Sequence, residues 1–180
     1  MTARTIPTLA TWTAGARVTG ARLAAMVSYA QFWANPPSFR MTQQIAQSIT
    51  TATWTQITCD TSDYDSDTGR GGSTPWSYTI PTGLSGRWQF GWEVTWANNG
   101  TGGRNSAIRK NGSAISGYTT NAPLAAGGVG GAGWTDPIAV VAGDVMSMWG
   151  WQNSGGSLST SVATDAFPIF WGRLVSLGSP

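Results

Sequence analysis

The 180-residue chain contains no histidine, which removes the commonest general base, the usual partner of a nucleophile and a favoured zinc ligand together. Charge is scarce too: Lys, Arg, Asp and Glu make up 10% of the residues, against roughly a quarter in an average soluble domain. The net charge of +2 comes from scattered side chains, with no basic stripe for a phosphate backbone, so nucleic acid is not an expected partner. A lone cysteine, Cys59, excludes an internal disulfide and reads as a small buried hydrophobe near a strand end. No run approaches the roughly 18 apolar residues of a membrane span, and the opening Met1-Thr2-Ala3-Arg4-Thr5-Ile6-Pro7 lacks the apolar stretch of a signal peptide. The expectation is synthesis in a cytoplasm, with no leader and no membrane insertion.

What the chain has in quantity is glycine (24 residues) and tryptophan (11), in a composition 41% hydrophobic. That apolar surface can offset chain entropy, so a disordered chain is excluded. The length suits one domain with a short arm. In Arg87-Trp88-Gln89-Phe90-Gly91-Trp92-Glu93-Val94-Thr95-Trp96-Ala97 the large apolar residues fall on every second position. A two-residue period places Trp88, Phe90, Trp92, Val94 and Trp96 on one face of a strand, and rings of that size need a second layer to cover them.

Strands are expected over Gln44–Ile49, Thr53–Thr58, Trp76–Ile80, Arg87–Ala97, Asn105–Lys110, Ser113–Tyr118, Ile138–Val141, Val145–Gln152, Ser157–Ala163 and Ile169–Ser176. Many short strands between Gly-rich turns indicate an all-β, two-sheet sandwich or jelly roll. Asn111-Gly112 suits a two-residue hairpin turn, which would set Ile108 opposite Ile115. The run Val145–Trp151 has apolar residues on both faces, so it is either a central core strand or one covered by another subunit. Asn121–Gly133 has neither period and reads as a long surface loop.

The first 40 residues differ from the rest. Thr19 can cap a helix, and Leu23, Met26, Val27, Ala30 and Trp33 follow at spacings of three and four until Pro36-Pro37 stops it. This amphipathic helix, roughly residues 19 to 34, would bury its stripe on its own domain, on sister helices, or on a larger assembly.

Catalysis without histidine would fall to eight carboxylates: Asp60, Asp63, Asp65, Asp67, Glu93, Asp136, Asp144 and Asp165. A glycan hydrolase needs two of them about 5 to 10 Å apart. Asp136 and Asp144 sit beside turns, where aspartate serves backbone geometry. The alternating Asp63, Asp65 and Asp67 could surround calcium. However, an EF-hand loop starting at Asp63 would place its glycine one residue earlier and a bidentate Glu where Thr74 stands, which favours a solvated acidic loop. No cofactor is expected.

Three segments together resemble the C1q/TNF-like jelly roll: Gly86-Arg87-Trp88-Gln89-Phe90, Ala142-Gly143-Asp144-Val145 and Phe170-Trp171-Gly172-Arg173-Leu174. In the arm, Trp12-Thr13-Ala14-Gly15-Ala16-Arg17-Val18-Thr19, followed by Leu23, Phe32 and Pro36-Pro37, resembles the N-terminal segment of minor tail proteins from bacteriophages of actinobacteria. Gly20-Ala21-Arg22 and Ala24 depart from that pattern. The head motifs Gly103-Arg104, Lys110-Asn111-Gly112-Ser113 and Gln152-Asn153-Ser154-Gly155 are similar to the heads of such proteins.

The resemblance implies a non-enzymatic virion structural protein: an anchoring arm and helix (1–40) and a C1q/TNF-like head (41–180) that forms a homotrimer about a threefold axis. Trp149, Trp151, Phe170 and Trp171 would line that axis, and Leu23, Met26, Val27, Ala30 and Trp33 would dock on tail or capsid proteins. The alternative is a receptor-binding adhesin that meets host surface glycans through Asn98, Asn99, Arg104, Tyr118 and Trp134. A glycan hydrolase is a weaker reading.

Overall fold

The computed structural model describes residues 4–9, 11–71, 77–122, 130–164 and 166–178. Among the described residues, one helix, α1 (Gly20–Ala34), precedes thirteen strands. They are β1 (Ser38–Thr42), β2 (Ser48–Ile49), β3 (Thr55–Gln56), β4 (Thr61–Asp65), β5 (Ser77–Thr79), β6 (Gly86–Thr95) and β7 (Arg104–Lys110). The chain continues through β8 (Ser113–Ala122), β9 (Gly130–Trp134), β10 (Ile138–Val140), β11 (Val145–Gln152), β12 (Leu158–Ser159) and β13 (Ile169–Leu177).

The strands form two facing sheets, one ordered β10-β6-β13-β1-β4 with β9 also on β6, the other β3-β11-β7-β8 with β5 also on β11. A small third pair, β12-β2, joins Leu158 to Ile49. All pairings are antiparallel, which allows each sheet one buried and one outward face.

The period-two strand behaves as its sequence requires. Trp88, Phe90, Trp92, Val94 and Trp96 are buried between the sheets, with Phe39, Met41, Phe170 and Leu174 beside them and Tyr78, Ile108, Met146 and Met148 opposite. Phe39 of β1 stacks on Tyr78 of β5 with ring centroids 3.8 Å apart, joining the two layers. Full burial of each such ring contributes roughly 2–3 kcal/mol. Two of the buried indoles have hydrogen-bond partners: Trp88 Nε1 donates to Leu84 O and Trp92 Nε1 to Ser106 Oγ, both at 3.0 Å, whereas Trp96 Nε1 has none among the described residues. Ser106 Oγ also donates to Gly131 O and meets Thr120 Oγ1, so one hydroxyl links both sheets.

Several expectations are corrected. The sheet begins at Ser38 rather than Met41, because Phe39 and Met41 already enter the core. Thr61–Asp65, expected as acidic loop, is edge strand β4 on β1. Gly130–Trp134 is not loop but β9, paired with β6 from Thr95 to Gly91. Its glycines fit the packing: a Cβ on Gly133 would lie 2.7 Å from Trp92 Cζ2, and one on Gly131 2.9 Å from Ser106 Oγ. Residues 123–129 of the expected loop, Trp76, Thr74 and Asp165 lie outside the described residues. Asn111 and Gly112 both have positive φ, as the hairpin demands. The Ile108–Ile115 pairing is not part of the ladder, because the β7–β8 register shifts at Ile108, between Ala107 and Arg109.

Candidate functional site

The arm and α1 form one surface. Thr19 caps the helix, with its Oγ1 accepting from Arg22 N at 3.3 Å, and Phe32 is buried while Trp33 is half-buried against the core. Residues 4–8 lie along α1 and are tied to the head through Arg4, whose Nε pairs at 3.2 Å with the buried Asp67. This leaves Leu23, Met26 and Val27 43–54% exposed, with Ala30 exposed beside them. Of the stripe, only Trp33 packs on its own domain, and Leu23, Met26, Val27 and Ala30 are left exposed.

The outward face of the β6-β13-β1 sheet forms a second surface. Register aligns Trp134, Gly91, Trp171, Arg40 and Tyr64 in one row across β9, β6, β13, β1 and β4. Gly91 lies directly under the indole of Trp171, where any Cβ would collide with the ring. Trp134 is 70% and Tyr64 50% exposed, and Arg40 pairs with Asp63. Trp171 was the residue of this row foreseen at a threefold seam; Tyr64 was hidden in an acidic run.

The four expected axis residues do not share a face. Phe170 is fully buried inside the sandwich, since it alternates with Trp171 along β13, so it has no surface to offer a neighbour. Trp149 and Trp151 lie on the outward face of the other sheet. There the Arg109 guanidinium lies 4.1 Å from the Trp149 ring centroid and 5.3 Å from that of Trp54, and Trp149 Nε1 donates to Ser147 Oγ.

The expected ligand residues also separate. Arg104 is 4% exposed and folds back to donate to the carbonyls of Asn99, Thr101 and Gly102 at 2.7 Å, so it fastens its loop instead of facing a ligand. Burial lowers its pKa. Asn98 and Asn99 flank that loop, with Asn99 Oδ1 accepting from Thr101 N. Tyr118 packs against the core from β8, whereas Trp134 projects from β9 on the opposite sheet.

Most described carboxylates have structural partners. Asp60 accepts from Gln44 N and Ile45 N at 2.8 Å; Asp63 meets Arg40 and Thr42; Asp65 accepts from Asp67 N, Gly69 N and Arg70 N. Asp67 accepts from Arg4 and Ser66, so Asp63, Asp65 and Asp67 converge on no common point. No cluster of three metal-ligating side chains occurs among the described residues. Asp144 accepts from Val141 N, Asn111 Nδ2 and Lys110 Nζ; burial alone would raise its pKa, but these bonds hold it below the usual carboxylate range. Burial, with the Asp60 charge, pushes the Cys59 thiol up to about 12. No helix is long and apolar enough to cross a membrane among the described residues.

No protein-family model matches the sequence, and no curated protein sequence does. Solved structures do match. The globular domain of zebrafish complement 1qA protein superposes with a TM-score of 0.53 at 11% identity, over 79% of this chain and 99% of that one. Murine APRIL at pH 5.0 gives 0.55 at 10% identity, over 78% and 100%. The chain thus has the C1q/TNF-like jelly-roll fold, preceded by an arm and one helix.

Proposed function

We propose that the chain is a non-enzymatic structural protein of a bacteriophage particle, a homotrimeric jelly-roll head anchored by its arm and α1 to tail or capsid proteins. The observation that carries the anchor is the solvent-facing stripe Leu23, Met26, Val27 and Ala30 on a helix whose other face is already held by the arm and the head. Exposed apolar patches of this kind mark interaction sites. The likeness of Trp12–Thr19 to phage minor tail proteins supports a particle as the place of attachment.

For the trimer, the face bearing Trp134, Trp171 and Tyr64 is the favoured seam, in place of the face of Trp149 and Trp151. Large rings concentrate at subunit contacts, and a cyclic trimer uses one surface three times. The Trp149 indole, by contrast, is already covered by Arg109 and bonded to Ser147.

Gold-labelled antibody against the chain, viewed by electron microscopy on intact particles, tests the location. Regular labelling of tail or capsid is expected. Particles that carry no label, while free protein remains in the lysate, would overturn the reading.

A further inference from the structure

We propose that the arm and α1 form a basic, apolar plug whose seat is a groove on another particle protein, with an apolar floor and carboxylates at its rim. The proposal rests on the anchor reading above and names the chemistry of its partner. Of the eleven large hydrophobic residues exposed on the described chain, six (Leu9, Trp12, Val18, Leu23, Met26 and Val27) fall within the first 34 residues. This concentration assigns the sticky surface to the arm.

The charge on the same segment has one sign. Residues 1–59 contain Arg4, Arg17, Arg22 and Arg40 and no Asp or Glu. Arg4 and Arg40 are neutralised by Asp67 and Asp63 of the head, whereas Arg17 and Arg22 have no carboxylate partner among the described residues. Arg22 instead lies over the Trp12 ring, 5.4 Å from its centroid, and donates to Arg17 O at 2.8 Å. The two cations thus flank the start of the stripe, and the Arg22 guanidinium is already held there by Trp12 and Arg17 O, so less ordering remains to be done on docking.

Sister helices are a poor occupant. Leu23, Met26, Ala30 and Trp33 have coiled-coil spacing, but the helix spans 15 residues, short of the three or four heptads such a seam needs, and Trp33 is half-buried on its own head. Copies would also bring Arg22 against Arg22 with no acidic residue in the arm to offset it. A lipid surface fits no better: interfacial helices are rich in cations along the polar face, whereas α1 carries only Arg22.

The test uses the full chain and particles assembled without it, with co-sedimentation as the readout. Wild-type binding should weaken about tenfold between about 0.05 and about 0.5 M salt. Arg17→Gln with Arg22→Gln should bind about tenfold more weakly at low salt and lose most of the salt response. Leu23→Ser with Val27→Ser should bind about a hundredfold more weakly at any salt. Ile45→Ser, at a 73% exposed head position, should bind like the wild type.

If the Arg22 substitution unwinds the helix by circular dichroism, Arg17→Gln alone carries the charge test, because its guanidinium makes no bond among the described residues. Equal binding of the charge variants and the wild type would overturn the acidic rim while leaving the anchor in place. Wild-type chain that fails to bind at all would overturn both. A chain mass that falls when Leu23 and Val27 are replaced would make sister helices the occupant. Leu23-dependent binding to phosphatidylserine vesicles would make it a membrane.

Discussion

Asp144→Asn keeps the shape of the carboxylate and removes its charge where two turns are tied together. The side chain is 8% exposed, pairs with Lys110 Nζ at 2.8 Å, and accepts from Val141 N at 2.8 Å and Asn111 Nδ2 at 2.7 Å. Bonds to a charged group contribute about 1.5–3 kcal/mol each and are not additive in a cluster. The amide keeps one acceptor oxygen, so the expected loss is about 2–3 kcal/mol, a fall in Tm of about 5–10 °C for a domain of this size. The bonds from Lys110, Val141 and Asn111 outweigh burial and set the folded pKa below the unfolded value of about 3.9. The contribution of the charge is therefore complete above that unfolded value and disappears as pH falls through the folded one. Scanning calorimetry of both proteins should show the full gap near pH 7 and a shrinking gap below about pH 4. A gap equal at both ends of that range, or absent at neutral pH, would refute the assignment.

Other substitutions probe the remaining parts. Cys59, buried with its thiol pushed up to about 12, should resist a maleimide at about pH 8 in the native protein and react once unfolded, by mass spectrometry. Arg104→Ala should cost about 2 kcal/mol and expose residues 98–103 to proteolysis, since the carbonyls of Asn99, Thr101 and Gly102 lose their donor. Gly133→Ala forces a methyl to within 2.7 Å of Trp92 and should lower the urea midpoint by an amount equal to about 1–3 kcal/mol. Leu23→Ser should leave the unfolding free energy in urea unchanged to within about 0.5 kcal/mol, because that side chain is 51% exposed.

How far the sequence could be read depended on where each strand carries its side chains. The indole strand ending at Thr95 was plain from its period of two, because one face is committed to the core, and Val145–Gln152 was plain as a run apolar on both faces. The signal for β1 was present too, in the alternation of Phe39 and Met41 with Arg40 and Thr42, but the preceding Pro36-Pro37 concealed it. β4 could not be found this way: its outward Tyr64 is surrounded by aspartates that serve Arg40, Arg4 and a turn. β9 was hidden because Gly131 and Gly133 are small to admit Trp92 and Ser106, so the hydrophobic signal belongs to the residues they pack against. The surface rows were illegible for a further reason. Trp149 and Trp171 look equivalent in sequence, and only the strand order β3-β11-β7-β8 against β10-β6-β13-β1-β4 places them on opposite faces.

The most direct measurement is the mass of the full chain by sedimentation equilibrium at micromolar concentration, alone and with one substitution on each face. The proposed seam predicts three times the 18.9 kDa of one chain for the wild type and for Trp149→Glu, and a single-chain mass for Trp171→Glu. A monomeric wild type would contradict the trimer, and a trimer broken by Trp149→Glu but not by Trp171→Glu would contradict its placement.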